Sequence, residues 1–360
     1  MTGIYIHVPY CVRKCGYCDF YSVCDMSSAE RYTAAVCNII AALDCTADTL
    51  YFGGGTPSLL GGERIAAIIY KAKRILTADA EITVEVNPGD NLAEFIPTVA
   101  AAGVNRLSIG MQSHVDRELQ LLTRRHSAAD VDLAIAAAKR SLIENVSLDV
   151  MLGIEGQSEQ TLDETLRFCA ESGASHVSAY MLKIEQGTPF ESASFRPDDD
   201  RQCDLYKYAV RRLGELGFSQ YEISNFCRRD KYSRHNMKYW IGEDYIGIGA
   251  AAHSCVKGKR FYYPRDIESF INGNAPIPDG DGGGFDETVM LRLRLVSGLD
   301  LNELSICYPE EKIRIDNIKK LSTELSKAGL CRCKDGVVSL TVDGFLVSNR
   351  IIGRFIGDFN

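Results

Sequence analysis

The chain predicts an α/β fold of six consecutive βα units, and three observations lead there. Strand-like apolar runs alternate with amphipathic stretches from Gly3 to about Leu182. Gly103 and Gly173 stand just past helix ends, where a left-handed cap is expected, and a strand-like run follows each. Polar residues gather at the ends of the strand-like runs, where parallel α/β folds place their ligands. Such an alternation gives a parallel sheet with helices outside it.

The first run, Gly3–Val8, is stopped by Pro9, and Cys11, Cys15 and Cys18 follow. Thr49–Phe52 is the second run and leads into Gly53-Gly54-Gly55-Thr56-Pro57, after which Glu63–Leu76 reads as a helix. Glu81–Val86 carries Glu85 at its end, Arg106–Ile109 leads to Gln112, and Asn145–Met151 holds Asp149. Helical stretches at Ala128–Leu142 and Gln160–Glu171 and a run at His176–Met181 complete a core over residues 1–190. Residues 191–274 read as an extension with a helix at Arg201–Leu216, strand-like Tyr221–Phe226, and the Gly- and Ala-rich Asp244–Ser254. Residues 275–284, with two prolines and six glycines or aspartates in close succession, read as a linker. Over 285–360, helices at Asp286–Val296, Ile313–Lys327 and Phe345–Phe355, with a hairpin at Cys331–Thr341 turning at Asp335-Gly336, predict a small winged-helix-like α+β domain.

Composition narrows the function. The chain has 360 residues, 46% hydrophobic and 24% charged, which is ordinary for a globular protein with a sizeable core. A net charge of −8 argues against nucleic acid as a partner, so the C-terminal wing reads as a docking or scaffolding element. No apolar run reaches the ~18 residues of a membrane span, and no signal peptide is visible. The 13 cysteines form no disulfide framework, and a reducing cytoplasm fits them.

Cys11-Val-Arg-Lys-Cys15-Gly-Tyr-Cys18 supplies thiolates to three irons of a [4Fe–4S] cubane and leaves the fourth for a non-protein ligand. A structural zinc site would want a second ligand pair at short spacing, and Cys331-Arg-Cys333 is the only other close pair. The open iron suits a sulfonium nucleoside such as S-adenosylmethionine, held through its amine and carboxylate. Such a ligand needs close backbone approach, which the triple glycine offers, and acceptors for ribose hydroxyls, which Glu85 and Asp149 offer. Gln112 can both donate and accept, and Arg124 can pair with a carboxylate.

These motifs carry a resemblance. Ile4–Cys11 through Cys18-Asp19-Phe20, Gly53–Pro57, Glu85-Val86-Asn87-Pro88, Arg106–Ser113, Leu121–Arg124, Asp149–Gly153 and His235-Asn236-Met237-Lys238-Tyr239-Trp240 resemble radical S-adenosylmethionine proteins of the oxygen-independent coproporphyrinogen III oxidase-like family. The likeness is greatest to its haem-chaperone branch. It implies a partial (β/α)6 radical S-adenosylmethionine barrel, with Cys11, Cys15 and Cys18 as cluster ligands. It also implies that Tyr5, Tyr17, Gly54, Gly55, Thr56, Glu85, Gln112, Arg124 and Asp149 surround S-adenosylmethionine, with Tyr17 packing on adenine.

Two functions follow from the resemblance. One is a carrier that binds haem and delivers it to acceptor proteins, with an electron donor if the cluster is reduced. The other is an oxidase that cleaves S-adenosylmethionine reductively and abstracts hydrogen from a porphyrinogen propionate. Oxidase members resemble C-x3-C-x2-C-x-C, but here the last position is Phe20, and this chain starts only ten residues ahead of Cys11. The His235–Trp240 run is the mark of the carrier branch, linked there to haem binding. His235, Asn236, Tyr239 and Trp240 are therefore haem candidates, with His235 as axial ligand. His253 is a second ligand candidate and Cys255 a third.

Overall fold

A computed structural model describes residues 1–357. Twelve strands form its main sheet: β1 (Thr2–Val8), β2 (Ala47–Gly54), β3 (Leu76–Val86), β4 (Arg106–Gln112), β5 (Asn145–Leu152), β6 (His176–Met181), β7 (Ser219–Gln220), β8 (Asn225–Cys227), β9 (Tyr245–Ile248), β10 (His253–Val256), β11 (Lys259–Tyr262) and β12 (Ile277–Asp281). Their order is β12-β11-β10-β9-β1-β2-β3-β4-β5-β6-β8-β7. The run β1 to β6 is parallel, and β9 adds a further parallel strand on the far side of β1.

The six parallel strands lie where the apolar runs predict them, because a parallel sheet is covered on both faces and its strands read as continuous hydrophobic stretches. Ile4, Ile6, Leu50, Phe52, Val84, Leu107, Ile109 and Leu148 have almost no exposed surface. The connecting helices include Ala29–Ala42, Gly62–Ala72, Leu92–Ala102, Ala128–Arg140 and Glu159–Glu171. Gly103 (φ +122°) and Gly173 (φ +85°) end two of them with a conformation that L side chains avoid.

Four expectations are corrected. The helix predicted to reach Leu76 stops at Ala72, and Leu76 opens β3. Tyr221–Phe226 is not one strand: only Asn225–Cys227 pairs with β6, while Glu222 makes an isolated bridge to Leu295. The 275–284 linker contains β12, an exposed edge strand paired antiparallel with β11, and Pro278 is tolerated because an edge leaves one side of the ladder unpaired. The helix at Phe345–Phe355 divides into Val342–Leu346 and Ser348–Ile356.

The C-terminal part holds a second sheet of β13 (Leu299–Asp300), β14 (Cys331–Lys334) and β15 (Val337–Leu340), in the order β13-β15-β14. The β14–β15 hairpin turns at Asp335 (φ +53°) and Gly336 (φ +84°), the paired positive φ angles of a type I′ turn. Helix Lys312–Lys327 packs on this hairpin. One continuous apolar core runs from Ile4 to Phe355. No helix among the described residues is long and apolar enough to cross a membrane.

Candidate functional site: a cysteine loop over a cavity of buried carboxylates

The C-terminal ends of β1 to β6 surround a cavity of about 460 Å³. Cys11, Cys15 and Cys18 line it together with Tyr17, Gly54, Gly55, Thr56, Glu85, Gln112, Arg124 and Asp149. Residues drawn from four strand ends and two loops thus meet at one place, as the parallel topology requires.

The cysteine loop is fixed from several sides. The Cys11 and Val23 amides donate to the Val23 and Pro9 carbonyls at 3.0 and 2.8 Å. The Gly16 amide donates to Thr123 Oγ1 at 2.8 Å, and the Gly16 carbonyl accepts from the Phe190 amide at 2.8 Å. Cys11 Sγ lies 3.1 Å from Thr56 Oγ1, and Arg124 Nη1 lies 3.4 Å from Cys15 Sγ. A hydroxyl and a guanidinium thus stand beside two of the three thiols. No group of side chains among the described residues converges as ligands of a single metal ion do. A cubane does not ask for that, because each thiolate binds a different iron.

Glu85 and Asp149 are half-buried in the cavity wall. Tyr51 donates to Glu85 Oε1 at 2.8 Å and the Gly54 amide to Oε2 at 3.3 Å. Ser108 donates to Asp149 Oδ1 at 3.3 Å. Burial pushes the Glu85 carboxyl up to about 7, with the charge of Asp149 adding to it, and pushes Asp149 up to about 6. Two carboxyls that share a cavity, with pKa values of about 7 and 6, can hold a proton or, once ionised, accept a hydrogen bond from a hydroxyl.

The triple glycine does something other than expected. The Gly54 amide is taken by Glu85 and the Gly55 amide by the Val8 carbonyl at 2.9 Å, so neither waits for a ligand. A Cβ on Gly55 would sit 2.6 Å from the Tyr10 carbonyl oxygen, and one on Gly54 2.4 Å from the His7 ring. The glycines let β2 pass under the cysteine loop. Tyr5 also departs from expectation: its hydroxyl bonds His7 Nδ1 at 3.1 Å, and it lines a different cleft. Tyr17 tilts against Phe190 and receives Arg124 Nη1 at 3.4 Å.

Two residues at or beside this cavity received no role from the sequence. Thr123 adopts φ +57°, a strained angle for a β-branched residue, and this conformation aims its hydroxyl at Gly16 between the second and third thiols. Asn87 Oδ1 accepts from Arg124 Nη2 at 3.4 Å, and the Gly110 carbonyl does so at 2.7 Å. Gln112 (φ +68°) is likewise strained beside the cavity, and that conformation interrupts the β4–β5 register.

The His235–Trp240 run lies elsewhere. It forms helix Arg234–Ile241 across the N-terminal ends of β1 to β3, opposite the cysteine loop. Glu81 accepts from the Arg234 and His235 amides, and Lys238 Nζ meets Asp48 at 2.8 Å, Glu243 at 2.6 Å and the Met1 carbonyl at 2.9 Å. His235 is 1% exposed. Its Nδ1 lies 2.8 Å from Thr49 Oγ1 and its Nε2 2.8 Å from Tyr239 Oη. Burial drives its pKa down to about 3. With both nitrogens engaged inside the protein, His235 has none to offer an iron here, and the axial-ligand expectation is corrected to a core role. Tyr239 and Trp240 border an interdomain cavity of about 730 Å³ that Cys255 also lines, Tyr239 also lines the cleft that holds Tyr5, and Asn236 borders none of these. His253 is exposed on β10.

Residues 5–169 match the Radical SAM superfamily. The chain is 37% identical to the haem chaperone HemW of Mycobacterium tuberculosis, covering 86% of this chain and 85% of that one. It is also 37% identical to the haem chaperone HemW of Escherichia coli, covering 99% and 98%. Among solved structures, Escherichia coli coproporphyrinogen III oxidase, described as a radical SAM enzyme, superposes with a TM-score of 0.83 at 20% identity over 98% of this chain and 89% of that one. That likeness is one of fold.

Proposed function

The chain belongs to the radical SAM superfamily, in the family of those haem chaperones, and from that premise we propose that it holds a [4Fe–4S] cluster, S-adenosylmethionine and haem and passes haem to acceptor proteins. The observation that carries this reading is the match along nearly the whole chain to proteins named as haem chaperones. Phe20, where oxidases of the family carry a cysteine, supports it further.

Cys11, Cys15 and Cys18 would hold the cluster, which when bound supplies an electron and an open iron for the amino acid end of S-adenosylmethionine. The chain's own residues do the rest. Arg124 beside Cys15 offsets thiolate charge, and Asn87 and Gly110 fix its orientation. Glu85 and Asp149 accept from ribose hydroxyls once ionised, and Tyr17 walls the cavity against water.

The test is anaerobic reconstitution of the full chain with iron and sulfide. One oxygen-sensitive cluster per chain is expected, and Cys15→Ala should lose it while Cys37→Ala keeps it. Haem should then bind in equimolar amount, and coproporphyrinogen III should not be decarboxylated when S-adenosylmethionine and a reductant are added. Full iron in the Cys15→Ala protein, or vigorous decarboxylation, would overturn the reading.

A further inference from the structure

We propose that haem sits in an aromatic cleft beside the cysteine loop, with His253 Nε2 as its axial ligand and Arg265 as the partner of a propionate; this rests on the carrier reading above. The cleft, about 560 Å³, lies between the loop and the antiparallel end of the main sheet. That volume is within the ~300–1,000 Å³ of small-molecule and cofactor sites. Its walls suit a flat conjugated ligand: Phe20 comes from the loop, Tyr21 follows it, and Tyr245 and Tyr262 come from β9 and β11. Phe20 is 61% exposed, a large apolar face left facing solvent.

The choice of ligand follows from accounting for all six histidines. His7 bonds Tyr5 through Nδ1 and the Tyr21 carbonyl through Nε2. His176 bonds Ser147 and Tyr221, and His235 bonds Thr49 and Tyr239. His126 is buried against the Met111 carbonyl, and His114 is stacked on Phe168 at 3.7 Å. His253 alone combines an exposed ring, with 58% of its side chain accessible, with a place in a cavity wall. Its Nδ1 lies 3.7 Å from Asp279 Oδ2. Nε2 carries no hydrogen bond among the described residues. A carboxylate near one imidazole nitrogen favours the tautomer that leaves the other free for a metal. Asp279 is therefore a positioning residue, supplied by β12. Tyr262, opposite His253 in the β10–β11 pairing, stacks on its ring at 5.2 Å and 19° and restrains its plane.

The second element is charge. Arg265 stands exposed at the cleft with no ion pair among the described residues, and a guanidinium matches a carboxylate in two-pronged geometry. The larger interdomain cavity offers Cys255, Met290 and Tyr308 but no histidine.

Haemin titrated into the anaerobically reconstituted full chain provides the test. Wild type should give a Soret band of six- or five-coordinate haem. His253→Ala should shift that band and weaken binding at least tenfold, and added imidazole should restore the wild-type spectrum. Asp279→Asn should shift the band less, and Arg265→Gln should weaken binding several-fold without moving it. These positions are exposed, so the variants should melt as wild type does. A wild-type Soret band and affinity in both His253→Ala and Arg265→Gln would overturn the assignment while the carrier reading stands. So would a Soret change in Cys255→Ser with none in His253→Ala, which would put haem in the interdomain cavity. Failure of the wild type to bind haemin at all would overturn the carrier reading itself.

Discussion

Glu85 is half-buried in the cavity wall and carries an ionisable carboxyl that two donors address. Its pKa in the folded chain, about 7, lies above the ordinary 4.5. The folded state therefore binds more protons than the unfolded one between these values, and stability falls as pH rises through that window. Glu85→Gln keeps an acceptor for Tyr51 and removes the charge. Its gain over the wild type should be near zero at pH 4.5, grow towards pH 7 and then level off. The ceiling is about 3 kcal/mol, less the cost of a poorer contact with Gly54. Urea unfolding across pH 4.5–8 measures it, and a difference that does not change with pH would show that Glu85 is not buried as described. The same variant should bind S-adenosylmethionine more weakly, because a group that costs stability unoccupied is retained for what it does when occupied. The identities of Glu85, Asp149 and Gln112 were legible in the sequence, since each stands at a strand end. Thr123 was not, because its value lies in a backbone angle that no spacing encodes.

Helix Arg234–Ile241 shows the limit of motif reading at the next scale. Its residue types suit haem, yet its neighbours are the strand beginnings, where residues hold a fold together rather than meet its ligand. His235→Ala should remove two buried hydrogen bonds and open a cavity, at a cost of about 2–4 kcal/mol. Reconstituted iron content and the haem Soret band should be unchanged. Chemical denaturation beside the two spectra checks this, and a shifted Soret band at unaltered stability would return the helix to the haem site. The strands β1 to β6 were legible because both faces of each are buried. β12 was not: all five of its residues are exposed, so no hydrophobic pattern marks it. Tyr221–Phe226 misled for another reason: Glu222 is buried on a single bridge rather than a ladder, and pairing with β6 begins only at Asn225.

For the molecule as a whole, sequence divided the chain at a linker near 275–284, while packing joins it. Phe285, Val289 and Phe355 belong to the same apolar core as Ile4, and Lys207 pairs with Asp343 at 2.6 Å across the boundary. A core without a seam unfolds as one unit. Calorimetry of the apo chain should show a single transition whose van't Hoff and calorimetric enthalpies agree; two resolved transitions would mean the C-terminal part folds by itself.

The placement of β1 carries a consequence in time. It is flanked by residue 47 onward on one side and by residues 245–248 on the other, and the Met1 carbonyl is held by Lys238. At about 5–20 residues per second of synthesis, roughly 10–40 s separate the appearance of its first neighbour from that of its second. Through that interval one edge of β1 is an open template for wrong pairing. The three thiols at its end are meanwhile already made but only half framed. Long-range closure of this kind is slow, so the loop that carries three closely spaced thiols is also one whose surroundings are completed late.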